Sequence, residues 1–307
     1  MNQPQRKRWQ IVDGVLLLDK PGGMSSNDAL QKARRLFSAA KAGHTGTLDP
    51  MATGLLPLCF GEATKFSNRL LDADKTYVAT LKLGVTTTTA DAEGDVLETH
   101  VVSCDESAVH AVCVRFLGTI EQVPPMYSAL KYQGKALYEY ARQGVEIERE
   151  SRRVTIHSLE VTRVALPEID IVVHCSKGTY VRTLAEDIGA ALGCGAHLTA
   201  LRRTRIGSLE VSAALSLEQL GALCEEARRP LLAPPDALLA HLPAVTLAEV
   251  DADRFLHGQR VLHAGDASEV RVYGPGFIGL GERNLAGELK PVRLIVFHAP
   301  ASVQTCQ

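Results

Sequence analysis

Apolar and polar residues follow short, regular patterns that predict the elements of this chain. Residues 15–18 form an apolar run that predicts a short buried strand, ended by the Pro-Gly-Gly at 21–23. Residues 77–85 and 169–175 alternate apolar and polar side chains and predict half-buried strands. Helical spacing follows a cap at Ser25 or Ser26, and it returns from Thr179 onwards. The predicted apolar faces of these two helices are Ala29, Leu30, Ala33, Leu36 and Phe37, and Val181, Leu184, Ala185, Ile188 and Leu192.

Strands outnumber helices in this pattern, and strand and helix do not alternate regularly. The predicted fold class is therefore α+β, built on a mixed, largely antiparallel sheet. Residues 216–253 have a helical, acidic pattern interrupted by prolines, and after about residue 250 short strands alternate with glycine turns. We therefore predict an N-terminal arm over residues 1–13, a larger domain over 14–248 and a small β domain over 249–307.

Composition narrows the class of protein. A length of 307 residues suits two domains, and 46% hydrophobic with 22% charged residues excludes wholesale disorder. The formal net charge of −2 means that any basic patch must be local. None of the seven cysteines stands in a Cys-x-x-Cys pair, so we expect a reducing compartment without disulfides or structural zinc. No apolar run approaches the ~20 residues of a membrane helix, so we expect a cytoplasmic protein.

The most unusual segment runs from residue 43 to 54 and reads GHTGTLDPMATG. Its glycines permit tight turns and the close approach of a ligand, and Pro50 biases Asp49 away from helical geometry. A carboxylate on a stiff, non-helical backbone suits a preorganised site. The alternative is an Asx turn, in which Asp49 bonds only its own backbone.

A second segment, residues 177–184 (KGTYVRTL), lies where a strand gives way to a helix. Helix starts bind anions well, and Arg182 could reach a carboxylate elsewhere in the chain. The alternative for Arg182 is a surface pair with Glu186, one helical turn further on. Tyr180 alone is typical of a half-buried core aromatic.

A third segment, residues 124–142, holds four of the seven tyrosines, interleaved with Lys131, Lys135 and Arg142. Aromatic and basic residues in this mixture suit stacking on unpaired bases and contact with phosphates. The alternative is an amphipathic helix with a tyrosine-lined core face. The chain has no P-loop and no GxGxxG after a strand, so neither a nucleotide cofactor nor a metal is expected.

Together these segments resemble the TruB family, the tRNA pseudouridine synthases that act on the T-loop uridine at position 55. The resemblance rests on GVLLLDKP (14–21), GHTGTLDPMATG (43–54), KTY (75–77), PPMYSALK with GKALYEYAR (124–142), KGTYVRTL (177–184) and LRRTRIG (201–207). Order and spacing follow the family over about residues 12–210. By its position and β pattern, the tail after residue 250 resembles the PUA-type RNA-binding module of bacterial members.

The resemblance implies a fold of the pseudouridine-synthase type, with a PUA-like domain over 249–307 and an RNA-clamping insertion over 124–152. It implies that Asp49 is the catalytic aspartate and Arg182 its ion-pair partner. Tyr77 matches the tyrosine that stacks on the flipped base. The other substrate-binding residues that it implies are His44, Tyr180 and Leu201, with Lys20 and Lys65 as structural or phosphate contacts.

The implied activity is the isomerisation of uridine to pseudouridine, which has no net redox and no group donor and so needs no cofactor. The implied partner is the T-arm of tRNA, no protein partner is implied, and we expect a monomer. A different class of function is a tRNA-folding chaperone in which catalysis is secondary. A methyltransferase is a third hypothesis, which the missing cofactor loop disfavours.

Overall fold

The structure, a computed structural model, describes residues 9–296. Residues 1–8 of the predicted arm and residues 297–307 of the predicted β domain lie outside this part. The elements up to the insertion are β1 (Gly14–Lys20), α1 (Ser26–Leu36), β2 (Ala42–His44), β3 (Thr53–Phe60), a 3₁₀ helix (Gly61–Leu70), β4 (Lys75–Leu83), β5 (Val85–Thr87), β6 (Val96–Thr99), α2 (Glu106–Val114) and β7 (Gly118–Gln122).

The insertion and the rest of the larger domain follow. The insertion contains β8 (Lys131–Tyr132), β9 (Lys135–Ala136) and α3 (Leu137–Ala141). After it come β10 (Arg152–Ala165), β11 (Glu168–Cys175), α4 (Val181–Ala191), β12 (Ala196–Ile206), β13 (Leu209–Glu210), a 3₁₀ helix (Val211–Ala213), β14 (Leu215–Ser216), α5 (Leu217–Gly221), α6 (Glu225–Arg228) and two further 3₁₀ helices (Arg229–Leu231 and Pro235–Leu239). The C-terminal module consists of β15 (Ala244–Thr246), α7 (Glu249–Leu256), β16 (Val261–Leu262), β17 (Ser268–Tyr273), β18 (Phe277–Arg283) and β19 (Glu288–Leu294).

A ten-stranded sheet forms the centre of the larger domain. Its main path is β14-β1-β3-β12-β4-β11-β10-β7, with β13 beside β12 and β2 beside β3. The pairs β1–β14 and β3–β12 are parallel, and the other pairs are antiparallel. The predicted α+β class with a mixed, largely antiparallel sheet is confirmed.

The two faces of this sheet are covered by different elements. Leu16 and Leu56 belong to a core shared with the apolar faces of α1, α2 and α4. Val15 and Leu55, their neighbours on the same strands, belong to a second core with the 3₁₀ helix Gly61–Leu70. Successive strand residues point to opposite faces, and both faces are covered, so residues 15–18 of β1 and 55–60 of β3 are continuous apolar runs.

The periodic segments form the elements that their patterns predict. Ser25 is the N-cap of α1, because its side chain accepts a hydrogen bond from the Asp28 amide. Alternate residues of β11 are at most 1% exposed, as are Ala79, Leu81 and Leu83 of β4. The apolar residues of α4 also pack into the first core, as predicted.

The insertion does not form the amphipathic helix that was the alternative interpretation of residues 124–142. Only Leu137–Ala141 is helical, and β8 and β9 form a hairpin instead. Its two-residue turn has positive φ at both Gln133 (49°) and Gly134 (84°), which ends a helix and favours a hairpin. Tyr132 and Tyr138 are 42% and 37% exposed, so these tyrosines do not form a core face.

The C-terminal module has its own five-stranded sheet, β15-β17-β18-β19-β16, and its own small core. The sequence pattern places the start of the module at residue 249. The sheet of the module begins earlier, because β15 (Ala244–Thr246) belongs to it. Among residues 9–296, no helix has the length and apolar content needed to cross a bilayer.

Phe66 joins the C-terminal module to the larger domain. Its ring, 1% exposed, packs edge-on against Phe277 of β18 with centroids 5.6 Å apart. We expect Phe66→Ala to lower the free energy of unfolding by about 3–5 kcal/mol, the usual loss for a large buried aromatic. Urea denaturation measures this, with Leu285→Ala, which is 92% exposed, as the control. Equal free energies of unfolding for the two variants would contradict the role of Phe66 in joining the module to the larger domain.

Candidate active site

The loop that carries Asp49 joins β2 to β3 and is held by side chains from β1 and α1. The hydroxyl of buried Ser26 accepts a hydrogen bond from the Leu48 amide (2.8 Å) and donates one to the Leu48 carbonyl (2.9 Å). The ammonium of Lys20, which is fully buried, donates to the Pro50 carbonyl at 3.2 Å. Both neighbours of Asp49 are therefore clamped, and the carboxylate stands on a fixed, non-helical bend.

Arg182, in the first turn of α4, reaches this carboxylate. Its side chain is 3% exposed, and its Nε lies 3.0 Å from Oδ2 of Asp49, an ion pair without the alignment of a hydrogen bond. Nη1 donates to the Thr89 carbonyl (3.0 Å) and Nη2 to the Tyr127 carbonyl (2.6 Å). Arg182 therefore forms no surface pair with Glu186, and Asp49 has a partner outside its own turn.

Asp91 is a second carboxylate at this guanidinium, and the sequence patterns did not identify it. Its Oδ2 lies 3.7 Å from Nη1 of Arg182, and the residue is 3% exposed. Its Oδ1 accepts hydrogen bonds from the Thr89 hydroxyl (2.5 Å) and the Glu93 amide (3.0 Å). One buried cation thus faces two carboxylates, so each carboxylate opposes the ionisation of the other.

The surroundings of Asp49 favour its protonated form more than water does. Burial raises the pKa of Asp49, the Arg182 guanidinium opposes this rise, and Asp91 adds to it. The side chain is still 33% exposed, so the carboxyl can meet a ligand. Any activity that needs the carboxylate should decline as the pH falls through this raised pKa.

Tyr77 is paired in register with Arg203 across β4 and β12. Arg203 is 2% exposed, and its guanidinium donates to the carbonyls of Leu55 (2.8 Å) and Gly46 (3.3 Å). Burial raises the pKa of Tyr77, and Arg203 opposes that rise. The phenol therefore keeps its proton at neutral pH. Arg203 is a further buried residue beside Tyr77. It lies in the LRRTRIG segment at 201–207, but the resemblance assigned it no role.

Three other predicted site residues stand on elements that meet around this cluster. Tyr180 is the N-cap residue of α4 and is half-buried, Leu201 of β12 is 8% exposed, and His44 ends β2. Burial lowers the pKa of His44, and Arg203 lowers it further, so the imidazole is neutral at pH 7. Its Nδ1 is buried without a hydrogen-bond partner.

The structure does not bring Lys65 into contact with this cluster. Its ammonium pairs with Glu62 at 2.6 Å and donates to the Leu294 carbonyl of the C-terminal module at 2.9 Å. Lys20 donates to the carbonyls of Pro21 and Met24 in addition to that of Pro50. These internal contacts account for both lysines without a substrate, so their role as substrate contacts remains a prediction.

Groups of metal-ligating side chains and surface hollows are other places where a ligand could bind. Within residues 9–296, no group of three or more His, Cys, Asp and Glu side chains is placed to hold a metal ion. A surface hollow of about 580 Å³ lies on the C-terminal module, away from Asp49. Arg260 pairs there with Glu288 (3.1 Å) and Lys290 with Glu282 (2.7 Å), while Arg283 donates to the carbonyls of Asp266 and Ala264.

Comparison with solved structures shows the same architecture in other proteins. A chain of a Cbf5-Nop10-Gar1 complex matches with a TM-score of 0.68 and 27% identity, covering 94% of this chain and 85% of that one. A chain of an H/ACA RNP bound to a substrate RNA containing 2'-deoxyuridine matches in fold with a TM-score of 0.69 and 24% identity, covering 93% and 86%.

Family models of pseudouridylate synthases match the chain along most of its length, including the sheet and the loop that carries Asp49. The chain is therefore a protein of the pseudouridylate synthase class. The model of the TruB family pseudouridylate synthase N-terminal domain matches residues 34–181. Those of the tRNA pseudouridylate synthase B C-terminal domain and the pseudouridine synthase II TruB C-terminal domain match residues 182–240 and 243–295. The chain belongs to the TruB family.

Curated relatives match over nearly the whole chain. The tRNA pseudouridine synthase B of Burkholderia mallei (strain ATCC 23344) is 60% identical over 300 residues, which are 95% of this chain and 96% of the relative. That of Cupriavidus pinatubonensis (strain JMP 134) is 56% identical over 308 residues, 96% and 98% of the two chains. The resemblance inferred from the motifs is thus confirmed.

Proposed function

We propose that this chain isomerises uridine to pseudouridine in tRNA, at position 55 of the T-loop. The observation that carries the proposal is the Asp49–Arg182 ion pair, which stands on a clamped bend in a chain of the TruB family. The full-length identity to curated tRNA pseudouridine synthases B supports tRNA as the substrate.

The reaction suits a single carboxylate. The bond from ribose C1′ to uracil N1 breaks, the base turns, and C1′ joins C5, while the proton lost from C5 is matched by one gained at N1. Asp49 acts in its ionised form, either on C1′, on the uracil ring or on a ribose proton. Arg182 favours that form, and its contacts to Thr89 and Tyr127 hold it beside Asp49.

The target base must leave the RNA loop to reach Asp49. We assign Tyr77 to stacking on the flipped uracil, and Tyr180 and Leu201 to the wall of its pocket. A neutral, planar His44 suits the space that the uridine vacates, because an uncharged imidazole stacks without a desolvated charge. Tyr77 keeps its proton at neutral pH and takes part in the closing proton transfer, in which C5 loses a proton and N1 gains one.

The insertion over 124–152 supplies a surface for the rest of the T-arm. Lys135 lies 4.8 Å from the ring centre of Tyr140, and Arg142 lies 5.3 Å from that of Tyr138. Exposed rings with adjacent cations can stack on bases and neutralise phosphates. We assign the C-terminal module, over 249–307 in the sequence prediction, to further RNA contact.

The proposed partner is tRNA alone, bound by a monomer in the cytoplasm. The cysteines of the described part, Cys59, Cys104, Cys113, Cys175, Cys194 and Cys224, are all free. Free thiols are typical of reducing compartments, where tRNA is also modified.

Incubation with unmodified tRNA, without added metal or cofactor, tests the proposal. Carbodiimide labelling and primer extension should map one new pseudouridine at position 55, and the mass of the tRNA should not change. A transcript with cytidine at position 55 is the matched control and should remain unlabelled. Labelling elsewhere, or none on the uridine transcript, would contradict the proposed function.

A further inference from the structure

The two ends of the insertion meet at one residue pair. Gln122 is the last residue of β7, and Arg152 is the first of β10. They are directly opposite in the antiparallel ladder between these strands. The strands that flank the insertion are therefore joined at this pair.

Gln122 binds the backbone of Tyr180 through both ends of its carboxamide. The side-chain oxygen Oε1 accepts a hydrogen bond from the Tyr180 amide at 3.0 Å, and Nε2 donates to the Tyr180 carbonyl at 3.2 Å. Gln122 is 1% exposed, so this amide has no competing water. A buried carboxamide that makes two hydrogen bonds to one residue fixes the position of that residue.

Arg152 holds the same turn from the other side. Its guanidinium carbon lies 4.7 Å from the ring centre of Tyr180, and its Nη2 donates to the Gly178 carbonyl. The ring and the backbone of Tyr180 are thus held by the two residues that end and begin the flanking strands.

This turn leads directly to the ion pair. Tyr180 is the N-cap residue of α4, and Arg182 follows in its first turn with Nε 3.0 Å from Asp49. Nη2 of Arg182 donates to the carbonyl of Tyr127, which lies inside the insertion. The contacts form a closed ring from the insertion through Gln122, Tyr180 and Arg182 back to the insertion.

We propose that Gln122 is a positioning residue: by holding the Tyr180 turn, it sets where Arg182 stands relative to Asp49 and couples that position to the seating of the insertion. This inference rests on the proposed function. It assigns no contact between Gln122 and the RNA.

The test is Gln122→Met, which keeps the length of the side chain and removes both hydrogen bonds. Single-turnover pseudouridine formation should fall by about 10- to 100-fold, since small misplacements in a site cost this much. The Kd for tRNA should change by less than about threefold, because a transition-state interaction is lost rather than uniform binding. The acid limb of the rate profile should move to higher pH, because a displaced Arg182 no longer lowers the pKa of Asp49.

Two further variants separate positioning from general stability. The matched control is Gln31→Met, at a half-buried position on α1, which should leave the rate unchanged. In an Arg182→Lys background, Gln122→Met should cost much less than it does alone, because both changes act through one guanidinium. If Gln122→Met does not fold, Gln122→Glu, which keeps the acceptor for the Tyr180 amide, should show the same effects in reduced size.

The outcomes are distinct. If the wild-type chain forms no pseudouridine, the proposed function fails and with it the basis of this inference. If the wild type is active, a Gln122 variant with a lowered Tm but an unchanged rate and pH profile overturns the inference alone. Full multiplication of the Gln122 and Arg182 effects in the double variant also overturns it.

Discussion

Asp49→Asn is expected to lower the rate of pseudouridine formation by at least about 10³-fold, since asparagine can act neither as nucleophile nor as base. Binding of tRNA should remain within about threefold of the wild type, because the amide fills the same volume and removes no stacking group. The fold should not suffer. Burial raises the pKa of Asp49, so at neutral pH its charged form costs stability that a neutral amide does not.

Single-turnover kinetics, filter binding and thermal unfolding of the same preparation measure these three quantities. The matched control is Asp253→Asn, an exposed carboxylate on α7, which should leave the rate and the thermal unfolding unchanged. Turnover by Asp49→Asn comparable to that of the wild type would end the catalytic assignment. The same variant examines the chaperone hypothesis, because tRNA folding that it still promotes would not depend on catalysis.

Arg182→Lys is expected to lower kcat by about 10²-fold, although the positive charge is kept. The guanidinium reaches Asp49, the Thr89 carbonyl and the Tyr127 carbonyl from three different nitrogens. A single ammonium group cannot reach three acceptors so far apart. At least one of the carbonyls is then left without its donor, and the cation is no longer fixed beside Asp49.

The pH dependence gives this variant its specific signature. Arg182 lowers the pKa of Asp49, so a cation that is further away or mobile allows that pKa to rise. A higher pKa means that the carboxylate is lost earlier as the pH falls, and the acid limb of the kcat profile should move to higher pH. Arg163→Lys, in an exposed ion pair with Asp170, is the control and should show neither effect. An unchanged acid limb for Arg182→Lys would refute the electrostatic role.

Much of the fold follows from local pattern. Strand and helix periods depend only on residues close together in the sequence. The elements β4, β11 and α4 therefore have the type predicted from residues 77–85, from 169–175 and from the pattern after Thr179. The alternative of a helix over the insertion is wrong because two residues with positive φ make a tight hairpin turn, which apolar spacing does not reveal. The roles of the predicted site residues remain predictions. The motif at residues 201–207 contained Arg203 without a role assigned to it, whereas Asp91 and Gln122 lie outside every motif.

The sequence alone predicted which side chains carry chemistry: an aspartate stiffened by Pro50, an arginine at a helix start, and tyrosines among cations. Only the tertiary structure decided that Arg182 meets Asp49 at 3.0 Å, that Asp91 shares it, and that Lys65 lies at the contact with the C-terminal module instead. The reason is physical. Periodicity and backbone stiffness are properties of neighbouring residues, but pKa values and ion pairing depend on burial and distance, which are sums over residues remote in the chain.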